Sequence, residues 1–436
     1  MEKKMICIDC VKPESLKKHI ALNGQTHGCQ YCGKTGTVVA PDFLFGYIYD
    51  RVRENVADED GLSQFEHGMI YEVGADDIAV QSIDIVLSEW FDLGEEPYFD
   101  DLLNGVPPEF KINARGHETH FYSDDGLLER NFYEDRWSAF IEDIRHAHRF
   151  FNPKARGFLD AVFAFLLTDE ATLKPECVRT MACGEPLYRA RSADGYRQIK
   201  ALVEDLPGQF GPTPKDKAGS QRMTPNGISA LYCALERETC LSEIRSIAGD
   251  HVVSVGLTPT TQLKLMDLTR LDRLEPRKRT LLDTGYLDNL HLKTFIHSLV
   301  KKMSRPKGRN DELSYLSTQL VFEYLRLRFG EQVDGLVFPS VQTGEQGTNV
   351  VLFPEVGIVS AVPLEMPDEM AAAFGEKPGG AFEPGARLAV IAGSARFHKV
   401  LANTARATEH TRIDELFMSD LVRKQLGMPA VGPRMQ

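Results

Sequence analysis

Apolar residues change their spacing near Lys174-Pro175. Before that point they recur every three to five positions, close to the period of an amphipathic helix. These stripes predict helices over Asp42–Asn55, Asp76–Phe91, Glu134–Phe151 and Phe158–Leu167. In the second, Ile78, Ile83, Val86, Leu87 and Trp90 make the apolar face, and Asp76 and Asp77 suit the positive end of the helix dipole. In the third the face is Trp137, Phe140, Ile141, Ile144 and His148. Beyond Pro175 come short β-like runs: Glu185–Ala190, Ala230–Ala234, His251–Leu257, Gly335–Phe338 and Val350–Phe353. Helical patterns at Thr239–Ala248 and Tyr315–Phe329 separate them. So irregular a mixture predicts a multidomain α+β protein rather than a βαβ repeat. After Pro363, Pro and Gly punctuate the chain up to a last predicted helix at Arg412–Leu426.

The expected organisation is a small ribbon over 1–38 and a helical domain over 39–170. An α+β domain over 180–360 and a loop-rich extension over 361–436 follow. Length is ample for this: 436 residues support several domains and a buried core. Charge then sharpens the picture. The chain carries a formal −13, with 50 Lys+Arg against 63 Asp+Glu. Between Pro41 and Phe110 lie 18 acidic residues and only two basic ones, Arg51 and Arg53, so by difference the rest of the chain is slightly positive. A protein that coats nucleic acid has the opposite bias, so nucleic-acid binding is expected at most through the ribbon. No run of 18 apolar residues occurs, and the first seven residues lack the apolar stretch of a signal peptide. A cytoplasmic protein without membrane spans is expected. The basic stretch Lys264–Arg309 reads as a solvated face.

Four of the eight cysteines fall in two pairs, Cys7-Ile-Asp-Cys10 and Cys29-Gln-Tyr-Cys32, separated by 18 residues. Two residues between cysteines let both sulfurs reach one ion, and two such knuckles complete a tetrahedral thiolate shell. Structural Zn2+ on Cys7, Cys10, Cys29 and Cys32 is therefore expected, with no coordination position left for an activated water. Gly28 to Thr35 also fits the phosphate-loop pattern GxxxxGK[ST]. That loop needs a buried strand before it and a helix after it, and this segment has neither pattern. Cys177, Cys183, Cys233 and Cys240 lack ligand spacing and read as small fillers.

Chemistry-bearing residues cluster in the second half. Leu187-Tyr-Arg189-Ala-Arg191 is followed by Arg222-Met-Thr-Pro-Asn-Gly227 and Ala230-Leu-Tyr232. Then come Glu238-Thr-Cys-Leu-Ser-Glu243, Asp334-Gly-Leu-Val-Phe-Pro-Ser340 and Gly347-Thr-Asn349. This ordered set over about 180–358 resembles the RES domain, named for its Arg, Glu and Ser and found in bacterial toxins of toxin–antitoxin operons. The resemblance implies a fold similar to ADP-ribosyltransferases and consumption of NAD+ by hydrolysis, phosphorolysis or ADP-ribosyl transfer. Carried over by motif, the catalytic residues would be Glu243, Arg189, Arg222 and Ser340, and the NAD+ contacts Tyr232, Arg189, Arg222, Ser340 and Asn349. The 96 residues between Glu243 and Ser340 exceed what the compact toxins need, which marks an insertion at about 267–310. The helical region before it resembles the HEPN-related domains fused to RES domains. A neutralising antitoxin encoded nearby is the implied partner, and a homo-oligomer is compatible with the reading.

The chemistry is coherent by itself. Breaking the nicotinamide–ribose bond creates an oxocarbenium-like centre that a carboxylate such as Glu243 stabilises. Arginine forks suit the pyrophosphate. Taken singly, each residue has an ordinary explanation: a solvated glutamate, a core tyrosine, surface arginines, a serine in a turn. Two rival functions remain from the sequence. One is a HEPN ribonuclease, whose only motif match is Arg115-Gly-His117-Glu-Thr-His120, in a segment without a helical stripe. The other is a non-enzymatic recognition protein acting through the ribbon.

Overall fold

The computed structural model describes residues 4–62, 64–67, 80–126, 131–274, 279–304, 313, 315–360 and 385–401. The chain divides into two compact units. Met1–Asp135 and Pro276–Phe295 fall in the first, Arg136–Glu275 and Ile296–Ala407 in the second.

The first unit begins with a three-stranded antiparallel sheet of β1 (Ile6–Cys7), β2 (Gln25–Gly28) and β3 (Thr35–Val39), in the order β1-β3-β2. Helix Glu14–Asn23 connects β1 to β2 and ends at Gly24. A Cβ on Gly24 would lie 2.6 Å from Thr37 Cγ2 and 2.7 Å from the Ile20 carbonyl oxygen, so only glycine lets the helix end meet β3 so closely. Helix Pro41–Asn55 follows, opened by a proline that fits the first helical turn. Its Leu44, Ile48 and Val52 share one core with Ile6, Leu16 and Ile20 of the ribbon and with Val86, Leu87, Tyr98 and Leu102. The ribbon expected to stand alone over 1–38 is thus packed into the residues that follow it.

A second small sheet holds β4 (Ala57–Asp58), β5 (Val80–Ser82) and β6 (His120–Tyr122), in the order β4-β6-β5. The helix predicted over Asp76–Phe91 is corrected here. Val80–Ser82 pair with Tyr122–His120, so the ladder supplies backbone partners that a helix would have supplied internally. Helical backbone starts only at Ile83, with a wide turn over Val86–Trp90 closed by Phe91 N–H donating to the Val86 carbonyl. Residues 76–79 of that expectation lie outside the described residues.

Part of the insertion belongs to this first unit. Leu282 is buried in its core. The Asn55 side chain donates to the Leu281 and Asp283 carbonyls at 2.8 and 3.0 Å. His291 is fully buried, and its Nδ1 accepts the Phe132 N–H at 3.1 Å. Its Nε2, 3.1 Å from the Asp124 carbonyl, therefore carries the proton. The surplus length is thus core material, and residues 275–278 and 305–310 of it lie outside the described residues.

The acidic helical domain expected over 39–170 is likewise divided, because residues from Arg136 onward pack in the second unit. There Trp137 and Phe140 of helix Phe132–His146 meet Phe158 of helix Pro153–Phe163. The first helix is shorter than its stripe, and the second starts five residues ahead of its own stripe and ends four residues before that stripe does. The first ends before Arg149, whose Nε donates to the Ile144 carbonyl, and the second starts at a proline capped by Asn152.

The main body of the second unit is a ten-stranded sheet. Its strands are β7 (Val178–Met181), β8 (Leu187–Ala193), β9 (Leu231–Ala234), β10 (His251–Pro259) and β11 (Leu263–Asp267), then β12 (Gly335–Ser340), β13 (Gly347–Leu352), β14 (Val359–Ser360), β15 (Leu388–Val390) and β16 (Arg396–Lys399). The order is β14-β15-β10-β8-β9-β13-β12-β11-β7, with β16 also pairing with β10. β11–β12 and β14–β15 are parallel; the other pairs are antiparallel. Strands β9 to β13 are almost wholly buried, which is why they read as continuous apolar runs rather than alternating ones. The loop-rich extension contributes β15 and β16 to this sheet; its predicted helix Arg412–Leu426 lies outside the described residues.

Candidate active site and candidate metal centre

Strands β8 and β10 pair over seven residues, but β8 and β9 meet at a single pair, Tyr188 and Ala234. A cavity of about 780 Å³ is lined by residues of both strands at this junction. Helix Arg237–Glu243 brings the carboxylate to it. Thr239 Oγ1 donates to Glu236 Oε2 at 2.8 Å, and that oxygen also accepts the Thr348 N–H at 2.8 Å. The two bonds fasten the helix start to β13. Gly347 makes the close approach feasible, since a Cβ there would lie 2.1 Å from Thr239 Oγ1. At the other end the chain turns sharply, with Arg245 at φ 54°.

Glu243 Oε1 accepts two hydrogen bonds of 2.6 Å, from Ser340 Oγ and from Asn349 Nδ2. Ser340 ends β12, and Asn349 stands opposite Phe338 in the β12–β13 ladder. Three residues far apart in the chain thus converge on one oxygen, through charge-assisted bonds that hold it in place. Ser340 is fully buried and does not line the cavity. Its contact is with Glu243, whereas the sequence reading placed it directly on NAD+.

Arg189, Arg191, Arg222 and Arg245 line the same cavity, with Glu243 as the one carboxylate among its lining residues. Arg189 Nη1 donates to the Tyr232 carbonyl at 2.5 Å. The Nε atoms of Arg189 and Arg191 are buried and, among the described residues, have no hydrogen-bond partner. Burial lowers both guanidinium pKa values, and the neighbouring Arg191 charge pushes Arg189 the same way. Both stay cationic at neutral pH. Arg222 lies 6.0 Å above the Phe338 ring. Its loop is pinned by the Gln319 amide, which donates to the Gln221 and Thr224 carbonyls at 2.8 and 3.1 Å. Tyr232 also fixes that loop, because its hydroxyl accepts the Met223 N–H at 2.9 Å; burial raises its phenol pKa. All of Arg189, Arg222, Tyr232, Glu243 and Asn349 line the cavity, as the ordered motifs lead one to expect.

Sequence reasoning missed Tyr188, Gln198, Gln221 and Tyr315 in the lining. Tyr188 and Gln221 sit beside the arginines of the motifs, a weak signal. Gln198 and Tyr315 gave none, since only the fold brings them in. Cys233 and Cys240 are buried, with thiols pushed up to about 12, so they are unreactive fillers at neutral pH.

In the first unit, the ligand atoms of Cys7, Cys10, Cys29 and Cys32 lie within 4.8 Å of one another. Cys7 and Cys32 sulfurs are 3.5 Å apart, Cys10 and Cys29 sulfurs 3.7 Å. A tetrahedron with metal–sulfur bonds of about 2.3 Å has edges of roughly 3.8 Å, so the four can hold one ion of zinc's size. The knuckle backbone is preformed: Cys29 N–H donates to the Lys34 carbonyl and Gly33 N–H to the Cys29 carbonyl. Gly28–Thr35 is therefore the turn between β2 and β3, and β3, not a helix, follows it. Arg115 and His120 stand 3.6 and 3.3 Å from Asp60 and Glu59. His120 opens β6, not a helix as the ribonuclease motif would need.

Residues 186–371 match the RES domain family model, so the chain contains a RES domain. At family level this carries a toxin-like, NAD-related function. No curated protein matches the chain. Among the described residues no helix is long and apolar enough to cross a membrane.

Proposed function

We propose that this protein is a toxin or defence effector that cleaves the nicotinamide–ribose bond of NAD+. The observation that carries the proposal is one cavity holding a doubly hydrogen-bonded carboxylate, Glu243, opposite two arginines with orphaned Nε donors. A half-buried guanidinium whose buried Nε has no partner, and which among the described residues has no acidic partner, suits an anionic ligand, and two of them suit a pyrophosphate. Nicotinamide leaves with the electrons of the C–N bond, and C1′ of the ribose gains oxocarbenium character. The Glu243 carboxylate stabilises that charge. Both protein donors fall on Oε1, so Oε2 is left for the sugar or for orienting the acceptor. Tyr232, its hydroxyl already engaged, presents its ring to the nicotinamide, and Asn349 holds the carboxylate's plane. Water, inorganic phosphate or a protein side chain completes the reaction. The cysteine cluster binds Zn2+ in a structural role. An antitoxin that fills the cavity is the partner such an activity requires.

The test is nicotinamide release from NAD+ by purified protein, with and without inorganic phosphate and protein acceptors, followed by mass analysis of the ADP-ribose product. Loss of release in Glu243→Gln supports the proposal. Intact NAD+ under all these conditions overturns it, as does RNA cleavage abolished by His120→Ala.

A further inference from the structure

Arg237 opens the helix that ends in Glu243, yet it lies outside the cavity lining, and among the described residues no carboxylate forms an ion pair with it. Its guanidinium sits 4.6 Å above the ring of Tyr188, which does line the cavity. Nη1 donates to Ser254 Oγ at 2.5 Å, and Nη2 donates to the Ser394 carbonyl at 3.1 Å. Ser254 is fully buried on β10. Its Oγ is 2.8 Å from Nε2 of His398 on β16. Arginine only donates, so Ser254 Oγ accepts from it, which leaves the serine's single proton free to be donated to His398 Nε2. Register makes this relay: Gly256 faces Tyr188 on one side of β10, and Val252 faces His398 on the other. Ser254 lies between Val252 and Gly256, so alternation puts all these side chains on one face of the sheet. The loop before β16 is fitted to the same place. Ser394 Oγ accepts the Gly256 N–H at 3.0 Å, and a Cβ on Gly256 would lie 3.3 Å from Ser394 Cβ.

Ser394 and His398 fall beyond the residues matched by the family model, which end at 371. We infer that this C-terminal segment is part of the catalytic apparatus of this protein. Ser254, His398 and the Ser394 carbonyl act as positioning groups that lock Arg237, and through it the Tyr188 wall and the Glu243 helix. The inference rests on the NAD+-cleavage reading for its kinetic consequence but not for its geometry. A neutral His398 is what the relay needs, since a protonated Nε2 cannot accept the serine proton beside a guanidinium.

Two arms test it on the full-length protein. Kinetics of NAD+ cleavage should show kcat lowered about three- to tenfold by His398→Leu, the scale of one lost hydrogen bond between neutral groups. KM should stay within about twofold, and His398→Gln, whose amide oxygen can accept, should recover most of the rate. Unchanged kcat in His398→Leu, or no recovery with His398→Gln at wild-type melting temperature, overturns the positioning role. The second arm needs no substrate. Nitrogen-detected NMR of the imidazole should show His398 Nε2 unprotonated at neutral pH, with a hydrogen-bonded shift that Ser254→Ala moves. A protonated Nε2, or a shift indifferent to Ser254→Ala, overturns the relay. If wild-type protein leaves NAD+ intact while the NMR signature is as stated, the functional reading fails and the relay stands.

Discussion

Replacing Glu243 separates what its charge does from what its shape does. Ser340 Oγ and Asn349 Nδ2 both donate to Oε1 at 2.6 Å, and both residues are buried. Glu243→Gln keeps an oxygen that can accept both bonds but removes the charge. Folding should therefore change little, while the transition state loses its counter-charge. Removing one preorganised electrostatic group of this kind costs about 100- to 1000-fold in kcat, or roughly 3–4 kcal/mol. KM should hold, because the arginines carry ground-state binding. Glu243→Ala differs: it strands two buried donors, each costing about 1–3 kcal/mol, so it should also lower the melting temperature. Chromatographic nicotinamide release at saturating NAD+, alongside thermal melts, measures both. The reasoning is refuted if folded Glu243→Gln turns over at the wild-type rate. It is equally refuted if only KM rises, which would make Glu243 a substrate-binding group.

Further predictions follow from the same geometry. Arg191→Ala should raise KM about tenfold with kcat little changed, measured by steady-state kinetics, because its orphaned Nε is offered to the pyrophosphate. Gly347→Ala should destabilise the protein by about 1–3 kcal/mol in chemical denaturation, because the new methyl overlaps Thr239. Cys29→Ser should abolish one equivalent of bound metal, by elemental analysis, and lower the melting temperature, since metal binding is linked to folding. Burial and the Arg237 charge lower the His398 pKa. The folded state then binds fewer protons, so this contribution to stability is complete above the unfolded value near pH 6.5 and is lost as pH falls through the lowered folded value. His398→Leu should flatten that acid limb in pH-dependent melts.

What the sequence by itself determined was the chemistry that requires particular atoms at particular local spacings. The two CxxC pairs marked the cysteine cluster because two intervening residues fix sulfur reach, and the ordered Arg, Tyr, Glu and Asn motifs marked the cavity lining. Helices with strong stripes, such as Pro41–Asn55 and Leu316–Phe329, and the buried strands were legible for the same local reason. Pairing was not. Val80–Ser82 became a strand because His120–Tyr122 was there to meet it, and the 267–310 insertion gave Leu282 to a core whose other buried residues lie between Ile6 and Phe121, and His291 to Phe132 and Asp124. Only the tertiary structure decided that Ser340 hydrogen-bonds Glu243, and that His398 is linked to Arg237 through Ser254 on β10. Hydrogen bonds between strands distant in sequence depend on register, and no local pattern encodes which two distant strands will share it.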